Sequence, residues 1–191
     1  MKQICLILTA VFLNLNFVYS QNNIQSEYCI TKEEKELLQL INDYRKTKKL
    51  PSIKLSSELT KVAKIHANDL VDNQPIHGKC NMHSWSDKGK WKPCCYTDDH
   101  KNAKLMWSKP IELTNYKSNG YEIAFENSGG ATPENALAGW KSSHGHNNVI
   151  LEKGVFNKIG WKAIGISIKG EYALVWFGEI EDNFEDIDDC N

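Results

Sequence analysis

The sequence predicts an α+β domain, with helices packed over a mainly antiparallel sheet. Three observations point there. Amphipathic runs with helix-capping residues fill the first part of the chain, two alternating apolar segments close it, and no regular strand–helix–strand alternation joins them. The 191 residues suffice for one domain with a proper core.

The first element is "TKEEKELLQLINDYRKTKKLP". Thr31 sits at the cap position and Glu34 three residues on, the capping-box spacing; Leu37, Leu40, Ile41 and Tyr44 then fall on one face, and Pro51 ends the run. "LSSELTKVAKIHANDLVDN" is a second helix, with Leu59, Val62, Ala63, His66 and Leu70 in one stripe. His66 there reads as a core or rim histidine rather than a ligand. From Gln74 to Pro110 the periodicity is lost, in a stretch holding Cys80, Cys94 and Cys95, Trp85, Trp91 and Trp107, and His77, His83 and His100. So long an irregular segment inside a compact domain is functional or tied down. "NGYEIAFENSGG" is a strand running into a turn at paired glycines. "ATPENALAGWKSS" is a third helix, capped by Thr132 with Pro133 at its first position and Ala136, Leu137 and Trp140 inward. "IGWKAIGISI" and "EYALVWFGEI" form a hairpin around Lys169-Gly170, with Ile164, Ile166, Ile168, Leu174 and Trp176 as its inner face.

The two ends carry different signals. Lys2, the apolar "ICLILTAVFLNLNFV" and the small residues of "VYS" read as a secretory signal peptide over 1–20. As a membrane anchor the apolar core is too short, so no membrane-spanning segment is expected. The acidic residues from Glu179 to Asp189 make 181–191 a solvated tail, and no spacing of oxygen ligands there suits calcium. A net charge of −1 gives no electrostatic case for nucleic acid. After the leader five cysteines remain, and export makes disulfides their default state. Cys29 and Cys190 flank the globular part and suit a bridge between the ends. Cys80 pairs with Cys94 or Cys95, leaving one thiol over. A zinc site from those three competes, but it lacks the C-x-x-C spacing of structural zinc.

The residues that can carry chemistry are histidines and carboxylates: His83 in "CNMHSWSD", Glu122 and Glu126 in "GYEIAFENS", and His144 and His146 in "GWKSSHGHNNVIL". On a strand Glu122 and Glu126 share a face, opposite Tyr121, Ile123 and Phe125. The ordinary reading of that face is the wet side of an antiparallel sheet; the functional one is a groove wall. His144 and His146 read equally as a polar helix end. No serine or cysteine nucleophile motif, H-E-x-x-H or phosphate loop is present.

These residues resemble the CAP superfamily, that of cysteine-rich secretory proteins, antigen 5 and pathogenesis-related 1, also called the SCP domain. "LLQLINDYRKTKKLPSIKLSSELTKVAKIHANDL" is similar to the opening helices of that family, "CNMHSWSD" to the segment bearing its first histidine, and "IGWKAIGISIKGEYALVWFGE" to its closing hairpin. Trp140, Ser143 and His146 followed by "NNVIL" match the bacterial W-x-x-S-x-x-H pattern, so the resemblance is to the microbial branch. It makes His83 and His146 the family histidines and His144 incidental. "GYEIA" stands where the family has "GENIA", which makes Glu122 the counterpart of its glutamate, offset by one, and Glu126 the reserve.

The resemblance implies a three-layer α-β-α sandwich over 30–180, with an insertion around 84–116 walling an open cleft. It implies a divalent cation, zinc first, on His83 and His146, with Trp85, Tyr121, Trp140 and His144 near the cleft. Three functions follow as expectations. The first is a secreted or periplasmic, monomeric module binding a lipid, sterol, glycan or protein. The second is a metal-dependent hydrolase with Glu122 as general base. The third is a disulfide-stapled structural or toxin-like interaction protein.

Overall fold

A computed structural model describes residues 28–182 and 187–190. The expected signal peptide lies outside the described residues. Among them no helix is long and apolar enough to cross a membrane.

Helix α1 (Lys32–Thr47) begins at the expected capping box: Thr31 Oγ1 accepts from Glu34 N at 3.2 Å, and the Glu34 carboxylate accepts from Thr31 N at 2.8 Å. Glu34 is fully buried. Its carboxylate also accepts from Lys64 Nζ at 2.8 Å and from Ile168 N at 3.1 Å. One capping residue therefore ties three elements together. After the short strand β1 (Lys54–Leu55), helix α2 (Ser57–Asn73) is capped by Ser56, whose side chain accepts from Leu59 N at 3.0 Å. Asp182, from the far end of the chain, adds a carboxylate that accepts from Glu58 N at 3.0 Å, placing negative charge where the helix dipole favours it.

The long irregular stretch contains two short helices, α3 (Ala103–Trp107) and α4 (Lys109–Leu113). Its first half is held by the Cys80–Cys95 disulfide and by an isolated bridge between Trp85 and Cys94, so Cys95 rather than Cys94 is the partner of Cys80. Among the described residues Cys94 is the free thiol, and it is buried. Strand β2 (Gly120–Glu126), helices α5 (Pro133–Ser142) and α6 (His144–Ile150), a 3₁₀ turn at Gly154–Phe156, and strands β3 (Ala163–Lys169) and β4 (Tyr172–Gly178) complete the domain.

The sheet order is β1-β3-β4-β2, parallel only between β1 and β3. Leu37 and Ile41 of α1, Ala136 and Trp140 of α5 and Ile150 of α6 pack on one face against Ile123, Ile166, Val175 and Phe177. The other face is covered by α2 and the long irregular stretch, against Ala124, Ala163, Leu174 and Trp176. The layers are thus α-β-α. Helix α2 lies flush on β3 because Gly165 has no side chain: a Cβ there would sit 2.0 Å from the carbonyl carbon of Leu59.

Two local expectations need correcting. The hairpin turn is Gly170-Glu171, since Lys169 pairs with Tyr172, and Gly170 takes the left-handed φ of +58°. A two-residue antiparallel turn sets even-numbered residues opposite odd-numbered ones. Ile164 and Ile166 therefore share their face with Phe177 and Val175, while Leu174 and Trp176 point under α2. The acidic C-terminal run is also less free than a solvated tail. Ile30 N donates to Asp188 O at 2.8 Å, Cys190 N donates to Ile30 O at 2.9 Å, and a Cys29–Cys190 disulfide spanning 161 positions fixes the end.

Candidate functional site

The site is built from four elements. α2 supplies His66, β2 supplies Glu122, the loop after α2 supplies His83, and α6 supplies His146. The face of β2 bearing Glu122 is not the wet side of the sheet: Glu122 is 6% exposed, because α2 and the loop lie over it. Its Oε1 meets His66 Nδ1 at 2.6 Å, and its Oε2 meets His83 Nδ1 at 2.8 Å.

The other ring nitrogen of His66 settles the proton arrangement there. Nε2 lies 2.9 Å from Ser84 O, and a carbonyl oxygen only accepts, so Nε2 carries a hydrogen. Nδ1 then faces a carboxylate. The pair is an imidazolium beside a carboxylate, or one proton shared between them, fully enclosed. Burial pushes the Glu122 pKa up. The His66 charge and the hydrogen bonds from His66 and His83 outweigh it and hold the carboxyl below its ordinary value. His83 donates from Nδ1 to Glu122, which leaves the Nε2 lone pair available.

The loop that presents His83 is pinned at several points. Asn81 N donates to Tyr96 O at 2.9 Å and Tyr96 N to Ser84 Oγ at 2.9 Å. The buried Asp69 of α2 accepts from Ser86 N at 2.7 Å. Trp85 stacks on His66, with ring centroids 4.2 Å apart and planes 8° off parallel. On the opposite side, extended backbone at Ser143 (φ −87°, ψ 118°) separates α5 from α6 and turns His146 toward the loop. Helix α6 is held by Arg45, whose Nη1 donates to Ile150 O at 2.6 Å, by Tyr44 Oη donating to Asn147 at 3.0 Å, and by Trp161 Nε1 donating to Val149 O at 2.8 Å.

The rings of His83 and His146 meet edge to face, with centroids 6.4 Å apart. Burial, with the His83 ring alongside, pushes the His146 pKa down to about 4; Glu122 only partly opposes this. His146 is therefore neutral at neutral pH, the form that binds metals and accepts hydrogen bonds. The unfolded chain takes up a proton near the ordinary value of about 6.5 while the folded one does not. Stability is thus whole above that value and falls as pH drops toward 4. We expect the His146 ring signals in proton NMR to stay unshifted from pH 7 to pH 5; a midpoint near 6.5 would refute this.

Other sequence candidates lie elsewhere. Glu126 is exposed at the end of β2, 3.4 Å from Tyr172 Oη. His144 is exposed; residues two apart on a helix point about 200° apart, so the H-x-H pair cannot chelate from α6. Tyr121 faces the other side of the sheet, between Trp107, Phe156 and Trp161. Trp140 is fully buried in the core, with Nε1 donating to Ala124 O at 3.1 Å, and Trp85 is buried beneath His66. His66 is the residue sequence reasoning missed. The signal was a polar ring inside the apolar stripe of α2, which needs a partner once buried.

Two histidines facing across a gap, one held by a buried carboxylate, on an α-β-α domain closed by a hairpin, define a small disulfide-bonded domain with a histidine cleft. The chain belongs to the cysteine-rich secretory protein family, CAP, whose family model matches residues 38–165. Among solved structures it is similar to an extracellular protein containing an SCP domain from Bacillus anthracis, at 17% identity and a TM-score of 0.53, covering 76% of this chain and 39% of that one. It is also similar to an outer surface protein from Borrelia burgdorferi, at 18% identity and a TM-score of 0.52, covering 76% and 91%. The chain thus spans well under half of the Bacillus protein, and both likenesses bear on the fold. No curated protein matches the chain.

Proposed function

We propose that the protein is a secreted binding module whose cleft, between His83 and His146, takes a divalent cation, zinc first, as part of recognising a ligand. The observation that carries the reading is the Glu122–His83 contact, a buried carboxylate fixing one ring nitrogen and leaving the other basic. This is the pattern of an oriented metal-ligating histidine. The donor set is small: among the described residues no three His, Cys, Asp or Glu side chains gather as a metal site. Two imidazoles fit an exchangeable ion completed by water or ligand groups, not a closed structural zinc. Such an ion would supply a Lewis-acidic contact. His66 and Glu122 keep the His83 ring in place, and His146 offers a neutral nitrogen. The two disulfides support an oxidising, extracytoplasmic setting.

Hydrolysis finds less support. Both Glu122 oxygens are taken by histidines and its side chain is enclosed, so it is poorly placed to take a proton from water. Calorimetric titration with zinc alone tests the binding reading. We expect one site in the native chain and its loss in both His83→Ala and His146→Ala, each with an unchanged circular-dichroism spectrum. An identical titration in the doubly substituted chain would sink the proposal.

A further inference from the structure

The odd cysteine points to chemistry that the cleft does not use. Cys80, Cys94 and Cys95 all line one cavity of about 340 Å³, together with Trp85 and His77. Cys80 and Cys95 are bonded there, and Cys94 is the free thiol. The adjacent cysteines differ sharply in access: Cys94 is 2% exposed, whereas Cys95 is exposed. The backbone of this wall is hydrogen-bonded, but two of its buried side chains are poorly engaged. The Cys94 Sγ makes only a long 3.9 Å contact to Asn102 O, and the buried Trp85 Nε1 has no hydrogen-bond partner among the described residues.

We propose that this cavity is a thiol–disulfide exchange site, in which Cys94 displaces Cys95 from Cys80 and so uncovers Cys95 as a surface site for modification by small disulfides. The step balances without an oxidant. The Cys94 thiolate attacks Cys80 Sγ, the Cys80–Cys95 bond breaks, a Cys80–Cys94 bond forms, and the proton given up by Cys94 ends on the Cys95 sulfur. The uncovered Cys95 thiolate then attacks a low-molecular-weight disulfide, R–S–S–R. A mixed disulfide forms at Cys95 and RS⁻ leaves, so the small disulfide is the oxidant.

The observed isomer is the resting one. Burial pushes the Cys94 thiol pKa up, with Lys109 opposing it, which keeps the thiolate scarce. Cys94 is also held by paired backbone bonds to Trp85, at 2.7 and 3.0 Å. Neighbouring side chains in an extended stretch point to opposite sides, so exchanging partners slips this segment by one residue and must open those two bonds. The slip carries Tyr96 with it, whose ring lies 5.3 Å from that of His83. Exchange at the cavity therefore reaches the wall of the cleft, although the proposal does not depend on what the cleft binds.

Incubation of the folded chain with oxidised glutathione, followed by intact mass and fragmentation between residues 94 and 95, tests the site. We expect one glutathione on Cys95 with a Cys80–Cys94 bridge, and no adduct in Cys94→Ala. Cys95→Ser is expected to close a Cys80–Cys94 bridge and take no adduct. An adduct on Cys94 itself, no adduct in the native chain, or an adduct on Cys94→Ala each overturns the proposal. So does a folded Cys95→Ser chain that keeps two free thiols.

Discussion

Replacing Glu122 by alanine is expected to cost about 3–5 kcal/mol of folding stability, the usual effect of removing one partner from a buried ion pair. The loss comes from what remains. His66 is fully buried, with Nε2 committed to Ser84 O, and without Glu122 its Nδ1 has nothing to donate to. The ring must then give up its charge or draw water into the core. His83 also loses the contact that orients it. Glu122→Gln keeps the shape and one accepting oxygen, so its loss should be smaller. Urea denaturation monitored by tryptophan fluorescence reads both. An alanine variant within 1 kcal/mol of the native chain would show that the pair contributes little.

Arg45→Ala is expected to be comparably severe, about 3–5 kcal/mol, and to loosen the cleft from a distance. Arg45 is fully buried in α1. Its Nε donates to Pro51 O at 3.0 Å, Nη1 to Ile150 O at 2.6 Å, and Nη2 to Glu152 at 2.7 Å. One guanidinium thus satisfies the end of α6 and the turn after α1 together. Its removal strands a carbonyl at Ile150 and leaves Glu152 without its charge partner. Arg45→Lys retains the charge but not the planar fork, so it should recover only part of the loss. Because α6 carries His146, zinc affinity should fall along with the melting temperature. A variant melting like the native chain refutes this account.

The helices and the closing hairpin were legible because their signals are local. The Thr31–Glu34 and Thr132–Pro133 starts are written within a few residues of one another, and the structure uses both caps. The histidine pair was legible through the family pattern around Trp140 and His146. What stayed hidden depends on partners far away in the chain. Nothing in the α2 stripe says that His66 meets a carboxylate 56 positions later, and burial of Glu122 follows from the His66 and His83 side chains closing over it, not from the alternation of β2 itself. The choice of Cys95 over Cys94 is likewise made by the Trp85–Cys94 bridge, which turns one sulfur inward and its neighbour out. Parity of the hairpin was readable in principle, since a two-residue turn dictates which strand positions share a face.

The Cys29–Cys190 bond has a geometric consequence. It ties the start and finish of the domain beside Ile30, near Lys54 and Leu55 of β1, whereas Glu122 sits on β2 at the opposite margin of the four-stranded sheet. Three interstrand steps separate those margins, about 14 Å at ordinary strand spacing. A label, tether or surface support joined beyond Cys190 would therefore hold the molecule at the β1 margin and leave Glu122, with the histidines on it, at the other margin of the sheet.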